Sequence, residues 1–476
     1  MKKYFILLAI TLFFFLMPKS VLAVNYYVST TGNDTNLGTL SYPWKTIQKA
    51  AATLTAGNTV IVKSGNYTGT ITLSQSGDST HRIIFQGEAG TKLSGQLKVY
   101  GSYITIKAFE ITGVDPGGTD PWAPCIQIHQ NNVEISDSTI THCFSSGVYL
   151  LPTSSYGIVK NNRITDSVSD GISIDGQYQL IENNYIGHIR NYYREGTAYR
   201  GEADGIHFFG SHHIIRNNTI EDLNHKYTKY TPSNTCNDTT AQTNAECWTH
   251  IDCFQGWNGT NVAISDILFE GNTCRLSRSY LPSGVPLDTL MVKFFMLQRT
   301  ANTPVDNIVF RNNFFINESY NGWTPINIGN VACQATLPIE AVSIYNNTFV
   351  KTTGEGFMGV LLRCINGIDI KNNLFIDFGN ASHSYIYSSN DVSGITIDHN
   401  AVYKTNGKAP VGGPYQGDNI PSLWMQDPKI VSLSAGNLHL NSNSSLINAG
   451  VTLPSVLYDI DGNSRPQPQG SSYDIG

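Results

Sequence analysis

Charge is scarce in this chain of 476 residues: Asp, Glu, Lys and Arg together make up only 14% of it. Methionine is scarcer still, at 6 residues. Helical bundles need charged outer faces, so this composition argues against them. Basic residues are outnumbered, 30 Lys+Arg against 36 Asp+Glu, which removes any general attraction to nucleic acid. None of the 8 cysteines forms a Cys-x-x-Cys pair, so the usual spacing of a structural zinc site is missing. Beyond the amino-terminal segment no stretch is long and apolar enough to span a bilayer. Glycine is plentiful instead, at 43 residues, together with Asn, Ser and Thr. Such a chain suits many short strands joined by tight turns.

Residues 1–23 combine Lys2 and Lys3, an apolar run over 4–17 and Val21-Leu22-Ala23 as a small-residue cleavage site, the pattern of a secretory signal. Cleavage removes Lys2, Lys3 and Lys19 and no acid, leaving 27 Lys+Arg against 36 Asp+Glu, a formal charge of −9. The expectation is a secreted or cell-surface bacterial protein, monomeric, with no membrane span after cleavage and no nucleic-acid partner. Exported chains favour disulfides. Cys236 and Cys247 bracket a polar loop and are the first candidates. Cys333 with Cys364, and Cys125 with Cys143, are further candidate pairs. Cys253 and Cys274 fall at inward positions and are expected as buried thiols.

An Asn-Asn pair returns along the chain in one setting, after an alternating apolar strand. It stands in IVKNNRI, LIENNYI, IIRNNTI, IVFRNNF, VSIYNNT and IDIKNNL, with degenerate copies LFEGNTC and ITIDHNA. Counted on the second Asn, from Asn162 to Asn400, the intervals are 22, 34, 54, 41, 34, 26 and 27 residues. A repeat of this kind signals a solenoid, and the longer intervals are the same coil with loops inserted on one face. At the bend an Asn amide can donate to one coil and accept from the next at the sheet spacing of about 4.8 Å. Asn also tolerates the left-handed backbone of a tight bend. These residues are therefore structural. The domain expectation is a signal over 1–23 and a strand with a capping helix over 24–56. A single all-β right-handed parallel β-helix follows over 57–404, then a Pro-, Gly- and Ser-rich tail over 405–476.

The opening YYVSTTGNDTNLGTLSYPWKTIQKA…GNTVIVKSGNYTG and the Asn-marked coils resemble the pectate-lyase-like right-handed parallel β-helix superfamily. The tail, with DIDGNSRP and a final YDIG, resembles the anchor-Q segment of bacterial surface proteins. That fold hosts lyases, hydrolases, epimerases and non-enzymes, so function must be argued from the site.

Aligning the strands that open each coil suggests an outward column Gln127, Tyr149, Ser173, His207, Asp252, Lys293, Asn327 and Leu361. A second column contains His129, Asp175 and Arg363, while Asp170, Glu202, Asp204 and His250 stand at strand entrances. Ionisable residues are rare here, so their concentration beside the largest insertions marks a candidate site. For β-elimination on a uronate, Asp170, Asp175, Asp204 and Asp252 would hold Ca²⁺ and Lys293 or His207 would be the base. The resemblance adds that Ala203-Asp204-Gly205-Ile206 is similar to calcium-dependent pectate lyases of this fold. For hydrolysis, Asp204 and Asp252 would act as a carboxyl pair. Tyr149, His250, Trp257 and Arg363 would contact an extracellular polysaccharide. A non-catalytic adhesin or carbohydrate-binding module is the third reading.

Overall fold

A computed structural model of the chain describes residues 24–114, 123–189, 203–223, 251–257, 262–276, 292–298, 303–317, 326–329, 338–352, 358–378, 384–389, 392–403, 411–412, 423–424, 426–433, 435–466 and 468–476. Apolar-x-apolar segments this short cannot bury a face alone, and they do so here by stacking. The chain winds through three long parallel sheets of 14, 13 and 12 strands. One coil visits them in turn: Ile158–Lys160 lies in the first, Arg163–Thr165 in the second and Asp170–Ile174 in the third. This is the right-handed parallel β-helix that the repeat implies.

Each Asn pair makes the bend from the first sheet to the second, and its two members divide the work. The first member takes the left-handed backbone, with φ between 50° and 58° at Asn161, Asn183, Asn217, Asn312, Asn346 and Asn372. Gly271 and His399 adopt the same conformation in the degenerate copies. The second member points inward and builds a ladder. Asn162 Nδ2 donates to Asn184 Oδ1 at 3.1 Å, Asn184 to Asn218 at 3.0 Å and Asn218 to Asn272 at 3.0 Å, and the series continues to Asn400. Asn184 Nδ2 also donates to the Val159 carbonyl, and Asn184 Oδ1 also accepts from the Asn162 backbone N–H. All four valences of this amide are therefore satisfied inside a dry core.

Inward side chains stack in register from coil to coil. In the second sheet Ile140, Ile164, Ile186 and Ile220 follow one another, and Cys274, Phe315, Phe349 and Phe375 continue the column. The later rings stack at 5.0 and 4.7 Å. Burying each such side chain contributes roughly 1.5–3 kcal/mol. The open amino-terminal end is closed by the helix Ile47–Thr53, whose Ile47, Ala50 and Ala51 are buried. Thr46 caps it by accepting from the Lys49 N–H at 3.0 Å, and Asp34 in turn accepts from Thr46.

Val411–Gly412 and Leu423–Trp424 still pair with the third and second sheets, so the coils run past the boundary expected at 404. The tail then folds back on the outside of the second sheet, where Leu438, Leu446 and Ile475 pack on Ile316, Val350, Leu374 and Ile376. The outer Asn residues hold it: Asn346 donates to the Asp474 carbonyl and Asn372 to the Val451 carbonyl, each at 2.8 Å. Among the described residues no helix is long and apolar enough to cross a membrane.

Cys125 and Cys143 are bonded, with Cα atoms 5.3 Å apart. Cys253 and Cys274 are bonded too, with Cα atoms 6.3 Å apart, which corrects the expectation of buried thiols. The reason is the corner between the second and third sheets. A Cβ on Gly171 would meet Ile186, and one on Gly205 would meet Ile220, so these columns touch. Cys253 and Cys274 occupy the same two columns one coil further on. Cys364 is disulfide-bonded to a partner outside the described residues, where Cys333 and the expected Cys236–Cys247 pair also lie.

Candidate active site

The site is built on four consecutive strands of the third sheet, Asp170–Ile174, Asp204–Phe208, Ile251–Trp257 and Val292–Gln298. Asp170 pairs with Asp204 in register, and Asp252 with Lys293. Ile206 pairs with Phe254, which sets Asp204 level with Asp252. The Asp252 backbone N–H donates to Asp204 Oδ1 at 3.1 Å. Asp170, Asp204, Asp252 and Lys293 thus form one column on successive rungs.

This corrects the expected alignment. His207 is followed by Gln255 and then Met296, not by Asp252 and Lys293. The inferred column slipped by three residues because Asp252 to Gly256 and Lys293 to Leu297 are buried without interruption. With both faces of a strand covered, no in–out alternation survives to set the register. The column is also buried rather than exposed: Asp204 and Asp252 are 0% exposed, and Asp170 and Lys293 4%.

Local sequence explains the placement. Ser146-Gly147, Asp170-Gly171 and Asp204-Gly205 are the same step on three coils, the glycine packing against the second sheet and the preceding side chain turning beside it. Ser146 Oγ donates to Asp170 Oδ2 at 3.0 Å. Burial pushes the Asp170 carboxyl up to about 7, against hydrogen bonds from Ser146, Ser173 and Ser169 that pull it down. Carboxylates one rung apart repel by about 3 kcal/mol at an effective dielectric near 20. Lys293 Nζ donates to Met296 Sδ at 2.9 Å.

Ligand atoms of Asp170, Asp204 and His207 lie within 4.8 Å of one another. The two carboxylates suit a hard cation, which takes oxygen ligands, better than the imidazole does. Asp175 is not one of these three residues, but it lies close enough for its charge to act on Asp170 and for His207 to act on it. Its carboxylate accepts from Tyr149 Oη, and burial raises its pKa.

Beside the acid column runs a second one, level with His207. Lys98, Gln127, Tyr149, Ser173, His207 and Gln255 follow one another on successive rungs and form the outer floor of the third sheet. Tyr149 therefore sits two rungs before His207. Arg363 follows the strand Val360–Leu362, two rungs beyond the strand that carries Lys293, and is not part of the cluster. Trp257 ends its strand, but its side chain lies outside the described residues, as do His250 and Glu202. Of the serines around Asp170, Ser173 is in the column the sequence suggests, while Ser146 and Ser169 went unread, although the shared Ser-Gly and Asp-Gly steps carry the signal.

Residues 26–245 match the family described as Pel9A-like, right handed beta helix region. Over 148 residues the chain is 28% identical to the uncharacterized protein YwoF of Bacillus subtilis (strain 168), covering 29% of this chain and 28% of that one. The chain thus matches less than a third of that relative's length. Among solved structures, pectate lyase Pel9A superposes with a TM-score of 0.49 and 14% identity over 96% of both chains. An alginate lyase from Paenibacillus sp. str. FPU-7 superposes with a TM-score of 0.41 and 15% identity, over 63% of this chain and 91% of that one. The Asn-marked repeat and the three-sheet coil give the chain a right-handed parallel β-helix, and its residues 26–245 are similar to the Pel9A-like right-handed β-helix region.

Proposed function

We propose that the protein is an extracellular, carbohydrate-active enzyme that cleaves a uronate-containing polysaccharide by β-elimination. The observation that carries this reading is the in-register column Asp170, Asp204, Asp252 and Lys293, three buried acids and one buried amine on adjacent rungs. A stack of like charges costs stability, and ionisable groups held together at such a cost are candidates for chemistry.

Asp170, Asp204 and Asp252 are the residues that would hold Ca²⁺, which when bound would neutralise the uronate carboxylate and so acidify the neighbouring C–H. Lys293, one rung beyond Asp252, is the base. Its amine takes the proton from the carbon next to the carboxylate, the electron pair becomes a carbon–carbon double bond, and the glycosidic oxygen leaves from the adjacent carbon. Water supplies the proton that this oxygen takes up. His207 faces the same space from the neighbouring column, beside Asp170 and Asp204, and orients the sugar there. The expected localisation, outside the cell, agrees with disulfides at Cys125–Cys143 and Cys253–Cys274.

The test is a screen on polyuronates and neutral glycans, with and without EDTA, followed by ultraviolet absorbance. Unsaturated, EDTA-sensitive products support the lyase. Saturated products formed in EDTA would transfer the assignment to a glycosidase using Asp204 and Asp252. Binding without turnover would leave this face of the third sheet as an adhesin's recognition surface.

A further inference from the structure

The floor column does not stop at the acid cluster. It continues towards the amino-terminal end through Ser173, Tyr149 and Gln127 to Lys98. Lys98 lies four rungs from His207, roughly 19 Å at the sheet spacing, a span that several linked sugar rings cover. Lys98 is half-buried, and no carboxylate among the described residues lies within ion-pair distance of it. Among the described residues, then, Lys98 offers its ammonium at the amino-terminal end of the same outer column that carries His207.

A second feature stands beside it. Tyr100 and His129 occupy the next outward position on the same two rungs, and their rings stack at 4.1 Å with an interplanar angle of 19°. Tyr100 is 44% exposed. On its other side the level residue is the small Ser74, since Leu73 pairs with Val99. His129 Nε2 lies 3.4 Å from Gln127 Oε1, which ties the stack to the floor. Burial, and after it the nearby Lys98, lower the pKa of the His129 imidazole.

We infer that Lys98, Tyr100 and His129 form a distal sugar subsite, at which Lys98 pairs with the carboxylate of a uronate unit remote from the bond that breaks while Tyr100 packs on its ring. A sugar ring presents an apolar face to an aromatic one, and a carboxylate on the same unit reaches a neighbouring ammonium. The subsite makes this face of the third sheet read chain length, because only a polymer that extends four rungs from His207 engages both ends. It rests on the lyase reading for the site at the other end, yet it is a binding claim that can be measured separately.

Affinity electrophoresis through gels containing polygalacturonate or alginate gives that measurement for the wild type and for Lys98→Ala, Lys98→Arg and Tyr100→Ala. Far-ultraviolet dichroism and thermal midpoints check that each variant is folded. The wild type is expected to be retarded by at least one polyuronate, Lys98→Ala to lose most of that retardation, and Lys98→Arg to keep it. In turnover, Lys98→Ala is expected to raise KM on polymer about tenfold, the size of one exposed charge-assisted contact, with kcat unchanged and short oligomers unaffected. Equal retardation of the wild type and Lys98→Ala would overturn the subsite, whatever the enzyme proves to do. No retardation of the wild type would overturn it as well. Absence of unsaturated products with retardation intact would overturn the lyase assignment and leave the subsite standing.

Discussion

Two columns of buried polar side chains run along this solenoid, and they are built on opposite terms. At the bend between the first and second sheets, Asn162 to Asn400 stack amide on amide, each member between the two ends donating to one neighbour and accepting from the other. On the third sheet, Asp170, Asp204 and Asp252 stack carboxylate on carboxylate, then meet Lys293. An amide is donor and acceptor at once, so a stack of identical amides satisfies itself. An ionised carboxylate only accepts, so stacked acids repel and call for protons, donors or a cation from elsewhere. The rung spacing is the same in both. One column exists to hold the coils together, and the other is held in place by them.

The largest expected effect tests the second column. Lys293→Ala should lower kcat by about 10²–10⁴-fold, the usual worth of a general base, with little change in KM, measured at a temperature where the variant is folded. Initial rates of unsaturated-product formation read this directly. A variant with wild-type kcat removes Lys293 from the chemistry.

Next in size is a break in the amide ladder. Asn184→Leu leaves the Asn162 N–H and amide without their acceptor, now at 3.0 and 3.1 Å. A loss of about 3 kcal/mol is expected, from two buried donors at roughly 1–3 kcal/mol each. Urea denaturation measures it, and activity per folded molecule should hold. Stability equal to the wild type would mean that the ladder is not what secures the bend.

Smaller, and specific in sign, is the effect of pH through Asp170. Its folded pKa is raised to about 7, so between about pH 4 and 7 the native state holds a proton that the unfolded state releases. The stability Asp170 contributes is therefore full below its unfolded pKa and is lost as pH rises through about 7. His213, buried and pulled down to about 4, acts in the opposite direction, so the comparison must be between variant and wild type. In EDTA, Asp170→Asn should gain roughly 2–4 °C of Tm over the wild type between pH 4 and 8. A difference independent of pH would show that Asp170 is ionised throughout.

The smallest expected effect separates the two members of one Asn pair. Asn161 is exposed at φ 56°, while Asn162 is buried in the ladder. Asn161→Ala should cost about 1 kcal/mol from the left-handed backbone alone, and Asn161→Gly close to nothing. Equal losses in the two variants would place the value of Asn161 in its 3.1 Å bond to Asp137 instead.

The fold was legible because its signal is local and repeated. Asn161-Asn162 and its successors report a bend wherever they occur, and apolar alternation on either side reports the strands. The capping helix was legible for the same reason, with Ile47, Ala50 and Ala51 on one face. The site was legible only in its membership. Asp170, Asp204, Asp252 and Lys293 were each picked out, yet Asp252 and Lys293 were aligned with His207, three residues out of step. Their strands, Ile251–Trp257 and Val292–Gln298, lack the alternation that would have set them right. Cys253 misled for a related reason, since an inward position on one strand does not reveal which inward position of another sheet it meets.

By itself, then, the sequence determined the coil, the bend and the residue types that could do chemistry, because each is written within a few consecutive positions. Tertiary structure alone decided which of those residues stand level with one another. Loops of unequal length separate the coils, and the offset between two strands is settled only when their side chains pack. Gly171 must press on Ile186, Gly205 on Ile220, and Cys253 must reach Cys274. Those corner contacts pin the register, and the register is what places three acids and a lysine on adjacent rungs.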